Sequence, residues 1–261
     1  MTSLDVSPAH AARDHVARYT QLRQVQRELN NRLLKHILKG DMTACAKKLG
    51  FWHRGTMVFD DEDQTAFVAD VCIHDYFTGG RSAVGRYIAQ AHTEPNSDEA
   101  IVLAAMQKAR FSVFAIEKVF KGAGVMVRDL ILGDEIVLID MGLGGTAQEG
   151  VCLAGRILSF DGWAMTSGAT AFLGQGVVGD MAVQAIRNLV GTDVADLAGP
   201  DVGAKRLRLS SVALRLAIGL NRDDEDDRDV PPQPVARLPV PPRNAPCPCG
   251  SGKKCKRCCA R

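Results

Sequence analysis

The stretch FSVFAIEKVFKGAGVMVRDLILGDEIVLIDMG, residues 111–142, decides the fold class that we predict for this chain. It holds three short runs rich in Val, Ile, Leu and Phe, separated by Gly122-Ala123-Gly124 and by Gly133. Two similar runs follow, GVCLAGRILSF at 150–160 and GWAMTSGA at 162–169. Apolar runs punctuated by glycine turns are typical of antiparallel strands. Five strands in roughly sixty residues predict a β meander that curls into a small barrel or a strongly bent sheet.

Helical patterns lie on both sides of these strands. Apolar residues before residue 40 recur mostly three or four positions apart, which indicates one face of a helix. They are Val16, Leu22, Val25, Leu29, Leu33 and Ile37. After the strands, VVGDMAVQAIRNLV (177–190) and AKRLRLSSVALRLAIGL (204–220) predict two more helices. The predicted fold class is therefore α+β, with helices before and after a central sheet.

Several helix ends are also predicted from single residues. Gly40 ends the first helical pattern, and Asp41 is placed to cap a short helix that stops near Gly50. Ser82 and Ser97 are predicted N-caps of two further helices, since a serine hydroxyl accepts from the free N–H groups of the first turn.

The overall composition sets broad limits on compartment and partners. The 261 residues are 46% hydrophobic, enough for a core, and the net charge of +2 favours no class of partner. Aromatic residues make up 5% of the chain, which argues against a stacking platform for single-stranded nucleic acid. No signal peptide or membrane span is recognised, so we expect a reducing, cytoplasmic location where clustered cysteines bind metal.

Composition changes sharply after the last helical pattern. Six acids fall between Asp223 and Asp229, and most of the prolines lie between Pro231 and Pro246. Such a segment forms no packed core and is predicted to be a flexible linker. The predicted organisation is a helical region at 1–110, the meander with C-terminal helices at 111–220, the linker at 221–243 and a small tail module at 244–261.

The tail PCPCGSGKKCKRCCAR, residues 246–261, contains five of the eight cysteines. Cys247 and Cys249 form one pair, and Cys258 and Cys259 form another after eight residues. Four thiolates satisfy a tetrahedral Zn²⁺, and the metal would supply the folding energy of so short a module. Four basic residues between and beside the pairs offset the −2 charge of such a site. They are Lys253, Lys254, Lys256 and Arg257.

This tail resembles the SEC-C motif, the zinc-binding peptide at the C-terminus of the SecA preprotein translocase that also occurs on other bacterial proteins. The resemblance rests on PCPCGSGKK and the final CC, about sixteen residues. The motif usually has an aromatic residue where this chain has Cys255. Cys255 is therefore expected to be a packed or exposed thiol, with a role as alternative zinc ligand left open. A weaker likeness links HDYFTGGRSAVGRYI (74–88) and the strands to bodies that accompany SEC-C motifs.

The resemblance implies an interaction role, because the SecA tail docks the SecB chaperone and has links to ribosome and lipid surfaces. We expect this tail to bind an acidic protein surface on a chaperone, ribosome or translocation component. Nucleic-acid binding by the basic tail is an alternative, as is an enzyme of unknown chemistry in the body with the tail as accessory. The sequence names neither the partner nor the oligomeric state.

No catalytic signature stands out in the body, so a non-enzymatic role is favoured. GLGGTAQEG (142–150) lacks the spacing of a phosphate-binding loop and is predicted to be a turn or bulge. Cys72 and His74 lack the partners of a nucleophilic site, and Cys45, Cys72 and Cys152 are predicted to be small core residues. Arg128, Asp129 and Asp140 are predicted to be surface residues or members of salt bridges near turns.

Overall fold

The computed structural model describes residues 8–59, 62–191, 201–217 and 219. The chain divides into two units, Met1–Asn221 and Arg222–Arg261, and all described residues belong to the first. The predicted linker at 221–243 and the predicted zinc module at 244–261 lie outside the described residues. No helix in the described ranges is both long and apolar enough to cross a membrane.

Helices occupy the first part of the chain. They are α1 (Pro8–Asp14), α2 (Val16–Leu33), α3 (Asp41–Leu49), α4 (Glu62–His74), α5 (Ala83–Ile88) and α6 (Asp98–Lys108). A 3-10 turn, Leu34–His36, follows α2, and a two-stranded hairpin of β1 (Trp52–His53) and β2 (Thr56–Met57) joins α3 to α4. The predicted run of N-terminal helices is confirmed.

Five strands then form a closed barrel. They are β3 (Arg110–Phe120), β4 (Gly124–Asp129), β5 (Glu135–Ile139), β6 (Val151–Ser159) and β7 (Ala164–Gln175). The helices α8 (Val177–Val190) and α9 (Val202–Ala217) complete the described part of the chain. The predicted α+β class, with a small barrel between two sets of helices, is confirmed.

The order of the strands differs from that of a plain meander. The barrel runs β3-β4-β5-β7-β6, because β6 returns to pair with β3 and β7 then fits between β6 and β5. Three consecutive strands with the fourth beside the first form a Greek key. One parallel pair, Leu138 with Ala164, joins β5 to β7 and closes the barrel. Five-stranded Greek-key barrels of this kind include the OB-fold.

The strands carry long apolar runs because helices cover much of the outer surface of the barrel. One cluster fills the barrel interior: Phe114, Ile116, Val125, Val127, Leu138, Leu153, Ile157 and Ala164. A second joins β3, β6 and β7 to α3, α4, α8 and α9, and a third joins the other side to α2 and α6. A strand buried on both faces loses the strict alternation of a half-exposed one.

Most of the predicted helix ends are confirmed. The hydroxyl of Ser82 accepts from the backbone N–H of Gly85, and that of Ser97 accepts from Ala100. Helix α3 ends at Gly50, whose φ of +88° is the left-handed conformation that glycine adopts readily. The capping role predicted for Asp41 is wrong. Asp41 is the first residue of α3, and its carboxylate accepts from the Thr78 hydroxyl instead.

The segment predicted to be a turn or bulge, GLGGTAQEG, is partly helical. Helix α7 (Met141–Thr146) carries the chain from β5 to β6, and Asp140 caps it by accepting from the N–H groups of Gly142 and Leu143. The prediction missed this helix because glycines weaken helix propensity, whereas the aspartate cap and close packing against β4 compensate. Since Asp140 already satisfies these N–H groups, the structure also speaks against a phosphate loop.

Two adjacent glycines of α7 differ in the space around them, which gives a test of this packing. A Cβ at Gly144 would lie 2.6 Å from the backbone nitrogen of Gly124, whereas a Cβ at Gly145 meets nothing within 4 Å. We expect Gly144→Ala to lower the free energy of unfolding by about 1–3 kcal/mol through overpacking. Gly145→Ala should raise it by up to about 1 kcal/mol through helix propensity. Urea unfolding of both variants measures the difference, and equal effects would show that α7 does not pack here as described.

Candidate functional site

The predicted zinc ligands and their basic neighbours all lie outside the described residues. This set comprises Cys247, Cys249, Cys258 and Cys259, with Lys253, Lys254, Lys256, Arg257 and the additional thiol Cys255. Within the described ranges, no group of three or more His, Cys, Asp or Glu side chains is arranged to hold a metal ion. The candidate functional features of the body are therefore polar groups other than a metal site.

The three cysteines of the body are core residues, as predicted. Cys45, Cys72 and Cys152 are free thiols and are buried. A hydrogen bond with Cys72 and burial raise the pKa of the Cys45 thiol far above its usual range, and burial also raises the pKa of Cys152. Because the thiolate is the reactive form, these environments disfavour nucleophilic chemistry.

Cys72 and His74 are not brought together. The Cys72 sulfur contacts the backbone carbonyl of Asp41 and the sulfur of Met42 on α3. His74 is buried elsewhere, hydrogen-bonded to the backbone carbonyl of Met106. Burial lowers the pKa of His74 well below its usual value, and the guanidinium groups of Arg156 and Arg206 lower it further. His74 is therefore a neutral imidazole at physiological pH.

A buried ion network lies next to His74 and is the main polar feature of the core. Arg156 on β6 is fully buried, and its Nε donates to Asp70 over 2.9 Å. Its two terminal nitrogens donate to the two carboxylate oxygens of Asp75, over 3.1 and 2.5 Å. Arg206 on α9 donates to Asp75 over 2.9 Å and to the carbonyl of Ala109. Two guanidinium groups and two carboxylates thus meet with their charges balanced.

Sequence reasoning did not select this network, although a signal for it exists. Arg156 stands within the apolar strand VCLAGRILS, and Asp70 stands within the apolar stretch of α4. A buried charge needs a partner of opposite sign, so isolated charges in two apolar segments predict a pair. Burial alone opposes the charge on Arg156, but Asp70 and Asp75 outweigh it and raise the pKa of the guanidinium. Burial raises the pKa of Asp70, against the lowering effect of Arg156.

Arg128, Asp129 and Asp140, which were predicted to be surface residues or members of salt bridges near turns, all form salt bridges. Arg128 is exposed and pairs with Glu117 and Glu135 across neighbouring strands. Asp129 is fully buried rather than on the surface. Its carboxylate accepts from the Ser112 hydroxyl and from two backbone N–H groups after β4, and it lies 3.3 Å from Arg110. These contacts fix the turn between β4 and β5.

A large groove opens beside the network, between α2, α4, the start of α7 and β7. Its volume is about 1100 Å³. At its floor, Arg23 donates to the carbonyl and hydroxyl oxygens of Thr166 and pairs with Asp140 at 3.0 Å. Gln26 donates to the carbonyl of Ser167 over 2.7 Å. Side chains of α2 therefore tie this helix to the backbone of β7 along the groove.

The fold and the groove define an α+β protein built on a Greek-key barrel, with neutralised charges in its core and a polar groove on its surface. The chain belongs to the family of unknown function DUF7986, whose model matches residues 13–176. The model of the SEC-C motif matches residues 243–261, which confirms the resemblance seen in the tail. No solved structure shows significant similarity to the chain.

Curated relatives match the C-terminal region. The translocase subunit SecA of Halothermothrix orenii is 33% identical over 86 residues, which are 33% of this chain and 10% of that protein. SecA 1 of Chlorobium chlorochromatii is 52% identical over 44 residues, 17% of this chain and 4% of that protein. SecA of Heliobacterium modesticaldum is 54% identical over 37 residues, which are 14% of this chain and 4% of that protein. The chain therefore spans a tenth or less of the length of these relatives.

Removing one member of the buried network tests its energetic role. Asp75→Ala leaves Arg156 and Arg206 short of a carboxylate inside the protein, and we expect it to lower the free energy of unfolding by about 3–5 kcal/mol. The matched control Glu117→Ala removes a partner of the exposed Arg128 and should cost far less, because exposed ion pairs contribute little to stability. Urea unfolding measures both, and a similar small loss for the two variants would contradict the network described.

Proposed function

We propose that residues 243–261 bind one Zn²⁺ through Cys247, Cys249, Cys258 and Cys259, and that the zinc-bound tail docks an acidic protein surface. The observation that carries this proposal is the match of the SEC-C motif to residues 243–261, where the four thiols stand in two pairs. The partner that we propose is a chaperone, ribosome or translocation component, and the compartment is the cytoplasm. The relatives that share the tail are named as translocase subunits, which supports this choice.

The chemistry of the donor set fits zinc. Thiolates are soft ligands that Zn²⁺ prefers, and four of them fill a tetrahedral site. No coordination position is then left for a substrate or a catalytic water, so the metal would have a structural role. The basic residues from Lys253 to Arg257 reduce the cost of placing two net negative charges in a short peptide. In a peptide of this size, metal binding supplies the folding energy.

Metal analysis of cysteine variants tests the ligand set. We expect one zinc per chain in the wild type and in Cys255→Ser, and strong loss of zinc in Cys258→Ser after dialysis against a competing chelator. The two variants change the same atom type within four residues, so they control for each other. A full zinc complement in Cys258→Ser together with loss in Cys255→Ser would show that Cys255 is a ligand and that our set is wrong.

The docking role follows from the charge of the tail. After Asp229 the chain carries seven basic residues and no acid, and the four that we propose bind the partner, Lys253, Lys254, Lys256 and Arg257, lie between the two cysteine pairs. Such a patch attracts acidic surfaces and speeds association, with a strength that falls as salt screens the charges. The acids at 223–229 compete for the same basic residues within the chain. A partner therefore has to present a denser acidic surface than the chain itself.

Charge-reversal variants distinguish specific docking by the cysteine module from general electrostatic attraction between the basic tail and an acidic partner. The double variant Lys253→Glu with Lys254→Glu should weaken binding to purified SecB or to purified ribosomes by at least about tenfold. The matched control Arg237→Glu with Arg243→Glu changes the net charge equally outside the cysteine cluster, and should stay within about threefold. Surface plasmon resonance at two salt concentrations measures both.

The same experiment distinguishes the alternatives. If deletion of residues 244–261 leaves binding to these partners unchanged, or if neither partner binds the wild type, the docking proposal fails. Affinity for a duplex RNA probe that falls steeply with salt, without affinity for purified SecB, would instead support the nucleic-acid alternative, because ribosomes themselves expose RNA.

A further inference from the structure

Helix α8 carries large apolar side chains on two sides, and only one of these sides packs against the barrel. Its buried residues are Gly179, Val183, Ile186 and Val190. Its exposed large apolar residues are Val177, Val178, Met181 and Leu189, which are 74, 65, 68 and 54% exposed. A surface helix normally carries polar residues on the side opposite its buried face. The outer side of α8 therefore indicates a contact that the described part of the chain does not supply.

The apolar residues on this side form one continuous stripe along the helix. At about 100° per residue, Val178, Ala185 and Leu189 lie within about 40° of one another around the helix axis. Met181 and Ala182 lie on either side of this line, and both alanines are half-buried. We call these five residues the outer stripe. Because they recur three or four positions apart, a second helix can contact all of them at once.

The charged residues of α8 lie away from the outer stripe. Asp180 and Arg187 are about 180° around the helix axis from Val178. The neighbouring flank carries Gln184 and Asn188, which are uncharged and hydrogen-bonded to each other over 2.9 Å. A second stripe of the same composition can therefore pack on this one without burying an unpaired charge.

The outer stripe is complementary to itself when two helices run antiparallel. Its bulky residues Val178 and Leu189 lie at the two ends, equally far along the chain from a midpoint between Ala182 and Ala185. In an antiparallel pair about this midpoint, Val178 of each copy contacts Leu189 of the other, and the alanines let the helix axes approach closely. A two-fold axis relates such copies, so every contact occurs twice. A second copy of this chain therefore fits the stripe without any further change.

The exposed area of α8 is sufficient for the apolar core of a dimer interface. Burying its four exposed large apolar side chains would remove roughly 100 Å² of apolar surface for each, or about 400 Å² per copy. A specific interface buries about 800 Å² per partner, and somewhat more than half of that area is apolar. The outer side of α8 thus supplies most of the apolar part, with Gln184 and Asn188 at the polar rim.

We propose that the protein forms a homodimer in which the α8 helices of two copies pack antiparallel through their outer stripes. Removal of the two stripes from water drives the association. The antiparallel arrangement also sets the N-terminus of each helix beside the C-terminus of the other, which is favourable for the helix dipoles. The interface belongs to the body and forms without zinc, so it is independent of the function proposed for the tail.

Sedimentation velocity of the full-length protein tests whether the dimer exists. The protein is kept reduced, so that the tail thiols do not cross-link. We expect a species of twice the mass of one chain, whose fraction rises with protein concentration. A monomer at every concentration up to the limit of solubility would overturn the proposal.

Charge pairs then test the antiparallel register. Val178→Glu alone and Leu189→Lys alone each place a charge in the apolar contact, and each should weaken dimerisation by at least about tenfold. The double variant Val178→Glu with Leu189→Lys brings opposite charges together across the two-fold axis and should dimerise at least about tenfold more tightly than either single variant. Within one chain the two positions are about 16 Å apart, too far for an ion pair. A double variant as weak as the single ones would overturn the proposed pairing.

Two control variants locate the contact. Asp180→Lys changes the charge on the side of α8 away from the outer stripe and should leave dimerisation within about twofold of the wild type. Cys258→Ser, which tests the zinc proposal, should also leave it unchanged. Circular dichroism confirms the folding of every variant. A dimer that survives both single stripe variants, or that is lost in either control, would place the contact elsewhere and contradict this interface.

Cross-linking gives a second measurement of the register with uncharged substitutions. It uses a full-length chain whose five tail cysteines are replaced by serine, since the three cysteines of the body are buried. In this chain, Val178→Cys with Leu189→Cys should form a disulfide-linked dimer on addition of glutathione disulfide. Val178→Cys alone should not, because the two copies of residue 178 lie about 16 Å apart in the proposed dimer. Equal cross-linking of the two variants would contradict the antiparallel arrangement.

Discussion

The body of this protein depends on the neutralisation of one buried cation. Arg156 sits in the middle of a barrel strand with no access to solvent, and it is stable there only because α4 supplies Asp70 and the residue that follows α4 is Asp75. Arg206 brings α9 to the same carboxylate. The network therefore joins the barrel to helices that come before and after it in the chain.

Asp70 connects this network to the surface. It binds Arg156 on one side and lines the groove on the other, so the core fixes the wall of the groove. Arg23 performs the corresponding task from α2, since it binds β7 and, through Asp140, the cap of α7. Hydrogen bonds and ion pairs thus hold both walls of the groove in place.

Much of the fold was predictable from the sequence because its signals are local. Apolar runs separated by glycines indicate the strands. Ser82 and Ser97 cap helices through hydrogen bonds to residues only three positions away. The strand order was not predictable, since the pairing of β6 with β3 is set by packing across the barrel. The groove and the network join residues as far apart as Arg23 and Thr166. Only the isolated charges of Arg156 in an apolar strand and of Asp70 in an apolar part of α4 hint at the network, and nothing hints at the groove. The zinc ligand set remains a prediction.

The Greek-key strand order also affects how the protein folds while it is being synthesised. Strand β7 is the last strand of the barrel to leave the ribosome, yet it occupies the gap between β5 and β6. Helix α2 is among the first segments made, but its hydrogen bonds to Thr166 and Ser167 can form only after β7 has been synthesised. Contacts so distant along the chain are costly to form and tend to slow folding. The N-terminal helices can pack on one another early, whereas the contacts of α2 with the barrel form only after most of the body has been translated.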